Sequence, residues 1–220
     1  EESVTARYFT RPKAALDFLD KNRGSFIIGS LGFYLSQRRA LDLIPLARVE
    51  LTADTSGRYY LIVKTKTFKT LDELKGKTIS GSALYEDPRF LSRIVFNNRA
   101  DVDSDFTLKP TARPLSAIRK LLKGKLDGVL LDEIQYKSLK SLPYFEDITV
   151  VYESPVLPEV GLMMIDTPST IKLRERLLEA LLSMGESEDG AAAFKAFGLI
   201  GFKPIEPNSL NEVILRYDAK

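Results

Sequence analysis

The sequence predicts an α/β fold of mixed, mostly parallel sheets flanked by helices, and three observations predict it. The opening stretch alternates strand and helix signals in the order βαβαβ, the pattern of parallel strands joined by right-handed crossovers. Two short runs, Phe26 to Ser30 (FIIGS) and Gly128 to Leu131 (GVLL), are almost wholly apolar, as strands buried on both faces are. Between Lys77 and Pro88 a β-branched strand, a loop of small residues and a helix start follow one another, which is an ordinary βα turn. At 220 residues, 44% apolar and 28% charged, the chain has core enough for one large domain or two small ones.

Taken in order, Glu2 to Phe9 reads as a strand, with Val4, Ala6 and Tyr8 alternating against Ser3, Thr5 and Arg7. Thr10 caps a helix with Ala15, Leu16, Phe18 and Leu19 as its apolar residues, and Gly24 stops it. After FIIGS, Leu31-Gly32-Phe33-Tyr34 leads a second helix to the pair Arg38-Arg39, and Leu43 to Leu51 is the next strand. Asp54-Thr55-Ser56-Gly57 is a turn, and Tyr59 to Thr65 is a strand of the right length to leave one domain and enter another.

Thr70 and Glu73 have the spacing of a capping box around one helical turn, which Gly76 ends. Lys77 to Ser80 is a strand, the chain loosens at Ser80-Gly81-Ser82, and Asp87-Pro88 supplies an N-cap and a first-turn proline. Such a helix start attracts anions through free N–H groups and the positive end of its dipole. Phe106 to Thr111 is a strand, and Pro114 to Lys123 a helix with Leu115, Ile118, Leu121 and Leu122 on one side. GVLL ends at Asp132-Glu133, a helix runs to about Leu142, and Ile148 to Glu153 is a strand. Val160 to Ile165 crosses back. From Ser169 the chain is helical, with Ile171, Leu177, Leu178, Leu181 and Leu182 as a broad apolar face, and after Gly185 a shorter helix, Gly190 to Phe197. The tail from Phe202, rich in Pro and Asn, is expected to drape over the first domain.

Cysteine and histidine are both absent, which removes Cys nucleophiles, Ser-His-Asp triads and His- or Cys-ligated zinc. An enzyme would depend on carboxylates, Lys, Tyr or a hard metal ion, and the pairs Glu86-Asp87 and Asp132-Glu133 keep that weaker reading open. A net charge of +2 predicts no nucleic-acid partner, and no cofactor is expected. No apolar run reaches the length that spans a bilayer. Absent Cys fits an exported protein that needs no disulfide.

Several phrases carry a resemblance. The turn Leu71-Asp72-Glu73-Leu74-Lys75-Gly76-Lys77 after a crossing strand resembles the middle domain of periplasmic solute-binding proteins. FIIGSLG resembles a "D-[IV]-A-x-L-G" strand and turn, Gly124 to Val129 a "G-x-x-D-A-[AV]" strand, and Glu153 to Pro158 an "E-S-P-x-[IL]-P" hinge phrase. With the closing Ala196 to Phe202, these are most similar to the phosphate/phosphite/phosphonate-binding family of ABC transporters. The resemblance implies a two-lobed type II periplasmic-binding fold, lobe 1 being residues 1–63 plus 163–220 and lobe 2 residues 64–162, with hinge crossings near Val63 and Met163. It implies a non-enzymatic, periplasmic or extracellular protein that captures a small polar or anionic solute, phosphonate- or phosphate-like, for an ABC permease. A sensory or partner-binding domain of the same fold, serving a membrane sensor, is the alternative.

In such a fold the ligand lies at strand C-terminal ends between the lobes. That points to Thr10, Arg11, Ser30, Phe33, Tyr34, Ser80, Ser82, Tyr85, Arg89 and Asp132. Plainer roles stand beside these: a helix cap for Thr10 and Asp132, core for Tyr34, a solvated charge for Arg89. Two departures from the family pattern matter. Tyr85-Glu86-Asp87-Pro88-Arg89 stands where the family has S-T-S-G; Glu86 and Asp87 repel an anion and Pro88 lacks an N–H, so Arg89 compensates only by turning inward. A family member also carries a strand and helix before Glu2, so roughly 30–45 further residues, about one βα unit, are expected there, with a membrane anchor in that segment as one form. A monomer follows in that case, and a dimer that fills the gap if the chain is naturally short.

Overall fold

The computed structural model describes residues 5–22, 26–51, 55–206 and 208–219. The expected opening strand lies partly outside these residues, and 5–9 form no regular element; alternation makes a strand only where another strand offers a ladder. The expected helix stop at Gly24 and the turn residue Asp54 also lie outside them. The chain forms α1 (Pro12–Asn22), β1 (Phe26–Ile28), α2 (Leu31–Gln37), β2 (Leu43–Leu51), β3 (Tyr59–Lys64) and β4 (Lys77–Gly81). Then come α3 (Pro88–Phe90), which runs on into a π-helical turn at Leu91–Val95, α4 (Val102–Asp105), β5 (Phe106–Pro110), α5 (Pro114–Leu122), β6 (Gly128–Asp132) and α6 (Glu133–Leu139). The last elements are β7 (Ile148–Glu153), β8 (Leu162–Ile165), α7 (Pro168–Ser183), α8 (Glu188–Phe197), β9 (Leu199–Pro204) and α9 (Asn211–Asp218).

The strands make two sheets. The second has the order β5-β4-β6-β3-β7, with β4 parallel to β5 and β6, and β3 antiparallel to β6 and β7. The first has the order β1-β8-β2-β9, and each of its pairs is antiparallel. Here the structure differs from the expected parallel sheet. β1 and β2 do point the same way, but β8, from far along the chain, inserts between them.

β3 sits inside the second sheet, paired on both sides, and Val63 is fully buried opposite Thr149. Met163 is likewise buried inside β8. The chain passes between the sheets at 55–58 and 154–161, where no strand ladder holds the backbone.

The largest apolar cluster joins both halves. Leu31, Phe33, Tyr34 and Leu35 of α2 pack with Phe90, Leu91 and Ile94, and with Leu210, Val213 and Tyr217 at the chain's end. Each such buried side chain contributes roughly 1.5–3 kcal/mol. A second cluster (Ile62, Ile118, Leu121, Val129, Leu131) lies between the second sheet and α5, and a third (Leu46, Ala47, Leu162, Met164) is covered by Leu177, Leu178 and Leu181 of α7. The expected broad face of α7 is only partly used, since Ile171 and Leu182 are exposed.

The closing segment meets its expectation in part: Phe202 to Pro204 pair with β2 in the first sheet, and the chain then turns to the second half. After β9, α9 leaves the first sheet and packs on the Leu91–Val95 turn, where Arg93 Nη1 donates to Tyr217 O at 3.0 Å and Arg216 Nη2 to Asn97 Oδ1 at 2.7 Å. Asp218 at its end also pairs with Arg38, at 2.5 Å, so α9 touches both halves.

Candidate functional site

β4 ends at Gly81, whose φ of +150° turns the chain off the sheet; a Cβ there would stand 2.1 Å from Leu130 O, so only glycine fits. Ser82, a single tight turn over Ala83–Tyr85, and Glu86 follow. Beside it β6 ends at Asp132, which caps α6 by accepting from Gln135 N at 2.8 Å. Gln135 Nε2 reaches back to Ser82 Oγ at 2.9 Å and so links the two strand ends. The antiparallel register sets Tyr59 opposite Asp132, and the Tyr59 ring meets Phe90 edge-on at 6.2 Å.

The start of α2 faces this group from the other half. Ser30 caps α2, accepting from Phe33 N at 3.0 Å, and its hydroxyl lies near enough to the Glu86 carboxyl to favour its charged form. Gly32 lets the two surfaces close: a Cβ there would lie 2.5 Å from Glu86 Oε2 and 2.7 Å from Phe90 Cδ1.

The electrostatics are one-signed. Burial pushes the Glu86 carboxyl above the usual carboxylate range; the Ser30 hydroxyl pulls it partway back and the charge of Asp87 adds to the rise. Burial also raises Asp132, against the pull of the Gln135 and Ile134 N–H groups. Tyr59 is pushed far up by burial and then by the negative charges of Glu86 and Asp132. Among the described residues no group of three His, Cys, Asp or Glu side chains could hold a metal ion.

Of the residues expected at the site, Ser30, Ser82 and Asp132 come together. Tyr85 is half-buried beside Glu86, with the Arg11 guanidinium 5.9 Å from its ring centre, while Thr10 is exposed just before α1. Phe33 and Tyr34 are core, and burial raises the Tyr34 hydroxyl. Ser80 faces away: its hydroxyl donates to Lys109 O at 2.6 Å on the α5 side, lining a cavity of about 130 Å³ with Lys109, Thr111 and Lys120. Arg89 is exposed and lies over the Tyr217 ring at 5.7 Å, toward α9 instead of inward. Tyr59 and Gln135 complete the group without having been expected. Gln135 was visible in principle as the third residue after a capping Asp; Tyr59 needed the strand register.

The neighbouring crossings are stitched together. The buried Glu133 carboxylate accepts from Ser56 N at 2.7 Å, Ser56 Oγ at 3.0 Å and Arg58 N at 3.3 Å, and pairs with Lys137 at 2.9 Å. Burial alone would raise its pKa, but Lys137 and these donors more than offset that and hold it at about 2. Ser154 Oγ accepts from Tyr59 N at 2.9 Å, and Arg58 bonds both Ser154 O at 3.0 Å and Glu153 at 2.7 Å.

Residues 2–210 match the family described as "ABC transporter, phosphonate, periplasmic substrate-binding protein". Among curated proteins, no sequence matches. The fold is similar to XAC2383 of Xanthomonas citri, solved with ATP bound (16% identity, 94% of this chain and 82% of that one, TM-score 0.74). It is also similar to a binding-protein component of an ABC phosphonate transporter from Pseudomonas aeruginosa (12%, 96% and 74%, TM-score 0.72). A third similar structure is PhnD1 of Prochlorococcus marinus in complex with methylphosphonate (13%, 94% and 82%, TM-score 0.68). These likenesses fix the architecture as the α/β type II periplasmic-binding fold. No helix among the described residues is long and apolar enough to cross a membrane.

Proposed function

Because the chain belongs to the phosphonate-binding family of periplasmic substrate-binding proteins of ABC transporters, which are not enzymes, we propose that it captures a small polar solute between its two sheets and presents it to a membrane permease. The first lobe on this reading comprises α1 to β2 and β8 to β9, and the second β3 to β7. The lobes rotate about the two stitched crossings, 55–58 and 154–161. What supports this reading most is the placement of Ser30 on one side of the gap and of Ser82, Glu86, Asp132 and Gln135 at the strand ends on the other. A solute there touches both lobes at once, which is how binding energy is converted into closure.

The test combines thermal-shift screening against oxyanions, amines, amino acids and sugars with small-angle X-ray scattering of the same samples. A saturable rise in Tm with one ligand class, together with a change in radius of gyration, is expected. Saturation by no class, with unchanged scattering, would overturn the reading. Methylphosphonate, which the Prochlorococcus marinus protein holds, is the first oxyanion to try.

A further inference from the structure

We propose that the cleft recognises its solute through hydrogen-bond donors and positive charge, an alkylammonium or guanidinium group, and not through an oxyanion. The proposal rests on the solute-capture reading above and names the chemistry of that same site.

An anion finds neither helix start beside the gap open to it. The first turn of α2, capped by Ser30, is already covered by the carboxyl of Glu86, close enough that Gly32 has no room for a Cβ. The start of α3 is closed to an anion as well. Asp87 turns its own carboxylate there, accepting from Arg89 N at 3.3 Å and from the Tyr217 hydroxyl, and Pro88 has no N–H to give. Of the nearby cations, Arg89 is exposed and turned toward Tyr217, and Arg11 is exposed over the Tyr85 ring.

What remains around the Ser82–Asp132 strand ends accepts hydrogen bonds. Asp132 spends one oxygen on capping α6 and has lone pairs left. Gln135 gives its Nε2 to Ser82, which leaves Oε1 fully shielded from solvent with no partner, the one buried side-chain polar atom among the described residues in that state. A buried orphan acceptor is costly and calls for a donor. The half-buried Tyr59, which feels the negative charges of Glu86 and Asp132, has no hydrogen-bond partner for its hydroxyl among the described residues. Two carboxyls, an orphan carbonyl and a phenol form a complement for an N–H-bearing cation. The same set repels phosphate and phosphonate.

Isothermal titration of the whole chain tests this, in a buffer free of phosphate, sulfate and amines. One probe set is methylphosphonate and inorganic phosphate; the other is ethanolamine and agmatine. At least one amine is expected to bind saturably while both anions at millimolar concentration give no heat. Asp132→Asn, which still caps α6, should weaken amine binding by roughly tenfold or more, since it removes a charge-assisted bond; Glu86→Gln, of unchanged shape, should do the same. Saturable binding of the anions without the amines, equal binding of both sets, or amine binding untouched by either variant would overturn the inference and leave the receptor reading standing. Binding of neither set would overturn the inference, and only saturation by no class in the wider screen would overturn the receptor reading as well.

Discussion

Ser30, at the start of α2, and Glu86, at the end of the turn after β4, face each other across the gap between the two sheets, and the Glu86 carboxyl is held above its ordinary range by burial. A carboxyl raised in the folded state binds its proton more tightly there than in the unfolded chain. Its contribution to stability is therefore complete below its ordinary value of 4.5 and is lost as pH rises through the folded value. Asp132 acts in the same direction. Thermal unfolding followed upward from about pH 4.5 should show Tm falling, and Glu86→Gln, which cannot ionise, should flatten the fall and exceed the parent in Tm near neutrality. A Glu86→Gln protein with the parent's slope would contradict this account.

Glu133 has the opposite sign. Its folded pKa of about 2 lies below the ordinary 4.5, so its contribution is present above 4.5 and lost as pH falls toward 2. Glu133→Gln should lower Tm at neutral pH and show less acid destabilisation between those limits. Parallel acid titrations of the two proteins by circular dichroism check this.

The contrast between these two acids shows what could be read in advance. Asp132 as a helix cap was legible, because an Asp before a helical run has a local physical reason. Glu133 as the clamp on Ser56 was not, because its partners lie 77 residues away in sequence. FIIGS and GVLL announced themselves as buried strands by composition, but the direction of their neighbours depended on β8, whose pattern says nothing about insertion between β1 and β2. Ser80 was expected in the cleft because small residues at a strand end suggest a ligand. Alternation with the buried Ile79 puts it on the opposite face, under α5. Arg89 could be placed only once α9 was seen to bring Tyr217 to it.

Gly32→Ala should force the lobes apart. The added methyl meets Glu86 and Phe90 inside contact distance, and Phe90, fully buried, cannot yield. An increased radius of gyration in scattering, with unchanged helix content, is the expected result. An unaltered scattering curve would mean that Glu86 and its loop shift alone.

Ser154→Ala should cost about 1–3 kcal/mol, because the Tyr59 N–H then loses its acceptor in a buried setting. Urea unfolding measures it directly. A loss under about 0.5 kcal/mol would show that the crossing carries little of the fold's stability.

If the two halves are the hinged lobes of the proposed reading, the docking of α9 on the second of them changes what kind of motion the protein can make. Two crossings define a line, and bodies joined only along a line swing on it with little resistance. A third attachment off that line removes the freedom, so the swing needs α9 to release its hold on either the Leu91–Val95 turn or Arg38. Opening then becomes an event with a threshold, paced by the breathing of one eight-residue helix. Amide exchange in residues 211–218 and lobe opening should share a single rate, and a ligand would gain entry on that clock.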